Sequence, residues 1–165
     1  MAQEIAHYGY RSLADILRSP RGFYVTNDLN YSYVGARGFL RPGDYSTRVL
    51  LLVNGQRVND NVYDQASVGL DFGIDAAMFE RVEIIRGPAS SLYGANALFA
   101  IVNVVTRTGA SMNGAAFDAD IGTLGTQLVR ASAGRLFANG ARPFAASDFE
   151  VLTAVRSRRL WFGVR

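Results

Sequence analysis

Residues 80–107, ERVEIIRGPASSLYGANALFAIVNVVTR, set the tightest limit on what this chain can fold into. Two runs dense in β-branched residues, Val82-Glu83-Ile84-Ile85 and Ile101-Val102-Asn103-Val104-Val105, flank a patch of Gly, Pro, Ser and Ala. Such runs favour strands, and the patch must connect them. It has three possible uses: binding a phosphate, shaping a catalytic loop, or letting two strands pack closely.

The rest of the first hundred residues reads as a small mixed sheet with short helices. Ser12 to Arg18 is expected to be helical, with Ser12 and Asp15 as a capping pair, one apolar face from Leu13, Ile16 and Leu17, and Pro20 as the stop. Phe23 to Thr26 and Tyr31 to Arg37 are short aromatic and β-branched runs around a polar turn. Val49-Leu50-Leu51-Leu52-Val53 is a buried strand, and Asn54-Gly55 turns it into Gln56-Arg57-Val58. Residues 38–47 and 59–73 are loops by composition, and Asp75 to Phe79 is a helical turn. The strands of the opening stretch are Arg81 to Arg86 and Ile101 to Arg107. Beyond Gly109, Phe117, Ala119 and Ile121 alternate with Asp118, Asp120 and Gly122, and Gln127 to Arg135 is placed to pair back. Ala141 to Arg165 shows no period and receives no assignment.

Composition narrows the function. Hydrophobic residues make up 49% and charged residues 19% of 165, which is a folded protein of one domain or one domain with an extension. A net charge of +3 is too small to point to nucleic acid. The chain has no cysteine and one histidine, His7, which leaves no thiol chemistry and makes a His-based triad or metal cluster a poor expectation. No apolar run reaches the length of a membrane-spanning helix. The start, MAQEIAHYGY, has neither a basic nor an apolar signal region, so an exporting segment is expected to lie outside this chain.

The motifs for chemistry fail one by one. No Gly-Lys-Ser/Thr follows Gly87 and Gly94, and no Gly-x-Gly-x-x-Gly follows a strand, so the patch is not a nucleotide loop. Asp44, Asp60, Asp64, Asp71 and Glu83 show no spacing that brings two carboxyls into one cleft, and loop aspartates ordinarily form turns. A binding or structural role outranks an enzyme.

Three segments then carry a resemblance: Arg37-Gly38-Phe39, the strand and turn from Arg48 to Val58, and the whole of Glu80 to Arg107 with Arg86-Gly87-Pro88, Tyr93-Gly94 and Val102-Asn103-Val104-Val105-Thr106-Arg107. In this order and spacing they resemble the plug domain of TonB-dependent outer-membrane receptors, over residues 4 to 109. Phe99-Ala100 departs from the family's usual Gly-Gly. The resemblance implies an α+β plug over 1–109, the first hairpin of an incomplete transmembrane β-barrel over 110–140, and an unassigned tail over 141–165. Ser147 to Arg165 does not read as further barrel strands. The chain is expected to be a fragment, since the residues after Gly109 supply few of the strands such a barrel has.

The family's function supplies further expectations. The plug closes the lumen of its own barrel in the outer membrane, takes force from TonB, and gates uptake of an iron-siderophore, haem or cobalamin. Arg37 and Arg86 match arginines that pair with barrel glutamates, a task suited to a planar, permanently charged fork. Loops 38–47 and 59–73 correspond to the outward apices, with Arg41, Tyr45, Tyr63 and Asp64 as candidate ligand contacts. No cofactor and no metal is expected. The alternative is a stand-alone, plug-like periplasmic binding module.

Overall fold

The structure, a computed structural model, describes residues 2–28, 30–40, 43–112, 114–121, 126–135 and 144–152. The chain forms two compact units, residues 1–106 and 107–165.

The first unit begins with helix α1 (Ala2–Tyr8), which places Ile5 in the core. Helix α2 (Leu13–Leu17) starts at a full capping box: the Ser12 hydroxyl accepts from the Asp15 N–H at 3.2 Å, and the Asp15 carboxylate accepts from the Ser12 N–H at 3.2 Å. Leu13, Ile16 and Leu17 are buried, as helical spacing requires. Strands β1 (Phe23–Asn27) and β2 (Ser32–Ala36) form an antiparallel hairpin. Asp28 closes it by accepting from the Asn30 and Tyr31 N–H groups at 3.0 and 2.7 Å.

A four-stranded sheet forms the centre, built from β3 (Val49–Val53), β4 (Gln56–Arg57), β5 (Phe79–Arg86) and β6 (Ala100–Thr106) in the order β4-β3-β6-β5. β3 and β6 run parallel and the other pairs antiparallel. Val49, Leu51, Val102 and Val104 belong to the main core with α1 and α2, whereas Leu50, Leu52 and Ile101 pack with Ala97 in a second cluster. Both middle strands are thus covered on two faces. That is why Val49–Val53 is continuously apolar instead of alternating.

Asn54 (φ 51°) and Gly55 (φ 81°) supply the two left-handed residues of the β3–β4 turn. The turn is fastened to β6: the Gly55 N–H donates to Asn103 Oδ1 at 3.0 Å, and Asn54 Nδ2 donates to Thr106 Oγ1 at 2.9 Å. Between β5 and β6 runs the Gly/Pro/Ser patch, with the short helix α3 (Ser90–Tyr93) inside it. The patch is a compact connection whose backbone passes close to itself, the Ala89 N–H donating to the Ala97 carbonyl at 2.8 Å, but tight space is not what its two glycines answer to. A Cβ at Gly94 would meet nothing within 4 Å, and one at Gly87 only the Arg37 guanidinium at 3.7 Å. Their left-handed φ values, 88° and 122°, are what call for glycine.

The second unit holds α4 (Gly109–Met112) and an antiparallel meander of β7 (Gly114–Ile121), β8 (Thr126–Gly134) and β9 (Phe144–Leu152). Gln127 to Arg135 does pair back on β7, from Gly114↔Gly134 to Ile121↔Gln127. The tail assignment is corrected: residues 144–152, left without structure and from Ser147 on read as unlike further strands, pair with β8 from Gly134↔Phe144 to Thr126↔Leu152. Small residues in Phe144-Ala145-Ala146-Ser147 blur the alternation that Phe149-Glu150-Val151 carries, and pairing supplies what periodicity did not show. Residues 153–165 lie outside the described residues.

Candidate functional site

The loops expected to face a ligand are held by their own polar side chains. Ser46 takes a left-handed φ of 56° and is buried, and its hydroxyl accepts from the Val34 N–H at 3.0 Å. Asp44 accepts from the Thr47 hydroxyl at 2.8 Å. Tyr45 therefore sits on a pinned turn, half exposed, with its ring edge-on to Tyr31 at 6.1 Å and Tyr33 at 5.8 Å. The Tyr33 hydroxyl donates to Asp28 Oδ2 at 2.6 Å. Backbone N–H donation from Tyr31, then the Tyr33 hydroxyl, holds the Asp28 carboxyl below its usual range. The same carboxylate is the main reason that the Tyr33 phenol is pushed up to about 12. Tyr31 and Tyr33 were not singled out from the sequence. Their signal was three tyrosines on segments that only pairing and loop closure bring together.

The second loop turns on Asn59, which is buried. Its Oδ1 accepts from the Leu51 N–H at 2.8 Å, and its Nδ2 donates to the carbonyls of Val49 at 3.0 Å and Asp64 at 3.1 Å. The side chain thereby continues the β3 edge where β4 has ended. Asp60 accepts from the Val62 and Tyr63 N–H groups at 3.0 and 2.7 Å, and this leaves Tyr63 73% exposed at the tip. Asp64, also left-handed at φ 56°, has its carboxylate engaged by Arg57. The Ala66 N–H donates to the Tyr45 carbonyl at 3.2 Å, so Tyr45 and the Tyr63–Asp64 tip belong to adjoining loops. Arg41 lies outside the described residues.

Arg37 and Arg86, far apart in sequence, both reach the turn before β1. The Arg37 N–H donates to the Gly22 carbonyl at 2.8 Å, and Arg86 Nη1 donates to the Arg21 carbonyl at 2.9 Å. Both are exposed, and among the described residues neither lies within ion-pair distance of a carboxylate. Arg37 lines a shallow cleft of about 120 Å³ with Phe39, Gly87, Pro88, Leu98 and Phe99. Phe99 stacks on Phe39 at 5.9 Å with the Arg48 guanidinium 5.5 Å from its ring centre.

The carboxylates weighed as catalysts are occupied locally. Asp44 and Asp60 close turns, Asp64 pairs with Arg57, and Asp71 accepts from the Gly69 N–H at 3.1 Å. Glu83 accepts from Asn103 Nδ2 at 2.9 Å and Arg81 Nε at 2.8 Å, which in that order draw its carboxyl below the usual range. Among the described residues no three His, Cys, Asp or Glu side chains cluster as metal ligands. What the arrangement offers is exposed, hydroxyl-bearing aromatic rings on loops pinned by hydrogen bonds, and elsewhere on the unit the Arg37 and Arg86 guanidinium groups, which meet no carboxylate among the described residues.

Residues 1–101 match the family model of the TonB-dependent receptor plug domain. The vitamin B12 transporter BtuB of Vibrio vulnificus (strain CMCP6) is 34% identical over 154 residues, covering 90% of this chain and 23% of the relative. The iron-regulated outer membrane virulence protein of Vibrio cholerae serotype O1 (strain ATCC 39315 / El Tor Inaba N16961) is 34% identical over 104 residues, 59% of this chain and 15% of the relative. The chain thus spans less than a quarter of the length of these curated relatives. Among solved structures, the Pseudomonas aeruginosa pyoverdine receptor FpvA superposes with a TM-score of 0.68 at 17% identity, over 90% of this chain and 19% of that one. The alcaligin outer-membrane receptor FauA of Bordetella pertussis gives 0.64 at 22%, over 90% and 25%. At these identities the superpositions establish the fold.

Proposed function

The chain belongs to the family of TonB-dependent receptor plug domains, and from that premise we propose that it gates energised uptake of a scarce nutrient across the outer membrane. In this reading residues 1–106 close the lumen of a β-barrel of which β7, β8 and β9 are the opening strands. The strand register favours that role. Phe117, Ala119, Val129 and Ala131 share one exposed, apolar face, as lipid-facing residues do, while Asp118 and Arg130 pair on the other. Arg37 and Arg86 then answer carboxylates on the barrel wall, and TonB supplies the force.

The observation that carries the reading is the family match together with Tyr45, grouped with Tyr31 and Tyr33, on a pinned loop that adjoins the one carrying Tyr63. Tyr45, with Tyr31 beside it, and the exposed Tyr63 on the adjoining loop offer flat apolar faces and hydroxyl tips to a large nutrient chelate. Cobalamin comes first among the candidates because a relative covering most of this chain is a vitamin B12 transporter. Iron-siderophores come second.

The test is cyanocobalamin titration of the complete receptor carrying this plug, with Tyr45→Ala and Tyr63→Ala. Each is expected to weaken binding about tenfold, the scale of a lost aromatic anchor. Unchanged affinity in both variants would remove these loops from the ligand site. Tight binding by the 165-residue chain without its barrel would instead favour the stand-alone binding module.

A further inference from the structure

Asn96 lies in the turn that leads from Gly94 towards β6 and is 7% exposed. A primary amide so buried needs partners, because an unmet donor costs free energy. It finds them in two different loops. Its Nδ2 donates to the Thr47 carbonyl at 2.8 Å and lies 3.4 Å from the Asp64 carbonyl. The Asp64 carbonyl also accepts from Asn59, and the left-handed backbone of Asp64 turns it inwards to both amides. Two residues either side of these contacts, the Ala66 N–H meets the Tyr45 carbonyl. Three residues after Asn96, the Phe99 N–H donates to the Arg48 carbonyl at 3.0 Å, so the same turn grips the first loop twice.

We propose that Asn96 is a positioning residue that locks segments 43–48 and 59–68 into one surface. The lock matters for uptake only if these loops face the ligand, so its functional weight rests on the reading above. Asn96 is buried, and its Nδ2 is taken up by the loop carbonyls. Its contribution is preorganisation: two loops already held in register do not have to be ordered when the chelate arrives.

Amide hydrogen exchange on the 165-residue chain tests this, comparing the native sequence with Asn96→Asp. That change keeps the volume, removes the Nδ2 donor and turns an acceptor towards two carbonyls. The Ala66 N–H reports the junction between the loops, and the Val102 N–H in β6 reports the sheet. Exchange at Ala66 is expected to rise about tenfold with Val102 unchanged. No change at Ala66 overturns the proposal. Equal acceleration at both sites also overturns it, since Asn96 would then be a general stabiliser. Asn96→Ser, a donor too short to span both carbonyls, gives the same reading if the aspartate variant does not fold. If neither folds, Asn96 is a folding determinant and the proposal fails. Cyanocobalamin titration of the complete receptor with Asn96→Asp separates the two layers. Faster Ala66 exchange with unchanged affinity upholds the lock and sinks the ligand-facing reading.

Discussion

In the unit of residues 1–106, β3 is apolar on both faces and β6 on both except at Asn103, and the helices and the β1–β2 hairpin cover one side while the 87–99 connection covers Leu50, Leu52 and Ile101 on the other. In the unit of residues 107–165, β7 and β8 carry apolar side chains that remain open: Phe117 is 71% exposed and Val129 37%. One unit completes its own core, and the other, among its described residues, leaves an apolar face exposed. Sequence hydrophobicity is similar in the two, so what separates them is where the apolar residues point. A self-sufficient sheet reads as continuous apolar runs, whereas a sheet meant to lie between lipid and a wet lumen reads as alternation.

The most direct way to break this comparison is to truncate one apolar side chain in each unit. Leu51 is fully buried, and Leu51→Ala is expected to cost roughly 2–5 kcal/mol in a denaturant melt of the 165-residue chain. Phe117→Ala, on the open face, is expected to cost less than about 0.5 kcal/mol in the same melt. Comparable losses from the two would mean that the second unit also closes a core.

A smaller effect sharpens the comparison at the sheet edge. β4 is only two residues long, and beyond it Asn59 stands in for a strand by engaging the Leu51 N–H and the Val49 carbonyl. Asn59→Ala leaves both backbone groups buried without those partners, so a loss of about 1–3 kcal/mol is expected. A loss near zero would show that water replaces the amide and that this edge is not sealed.

These residues also mark how far the sequence could be read. Val49–Val53, the Asn54-Gly55 turn and the Ser12/Asp15 cap were legible because each is a local rule acting on neighbours. β9 was not, because its order comes from nine paired residues of β8 and hardly from its own composition. The site divides in the same way. Tyr45 and Tyr63 could be named from their place in loops, but the partners that give them geometry could not. Tyr31 and Tyr33 reach Tyr45 because Ser46 pins its turn to Val34 of β2, and Asn59 and Asn96 look like ordinary loop asparagines until the carbonyls they meet are placed. Asp64 shows the converse: chosen as an exposed acid, it is already held by Arg57.

The smallest expected effect lies on the exposed rim of the first unit, at the Asp28–Tyr33 pair. The Asp28 carboxyl is held below its ordinary value in the fold, first by the Tyr31 N–H and next by the Tyr33 hydroxyl. A depressed carboxyl stabilises the folded state above its unfolded value, and that contribution fades as pH falls through the folded one. The tyrosine works in the opposite direction: with its phenol pushed up to about 12, its share is complete below its ordinary value near 10 and is lost as pH rises through 12. Tyr33→Phe removes one of the donors, so the Asp28 carboxyl should titrate at higher pH while the backbone donation from Tyr31 and Asn30 keeps it below an ordinary aspartate. Carboxyl-carbon chemical shifts followed through an acid titration read this without unfolding the chain. A titration of Asp28 that does not move in Tyr33→Phe would mean that the hydroxyl faces water, and that the tyrosine group beside Tyr45 is held by ring packing alone.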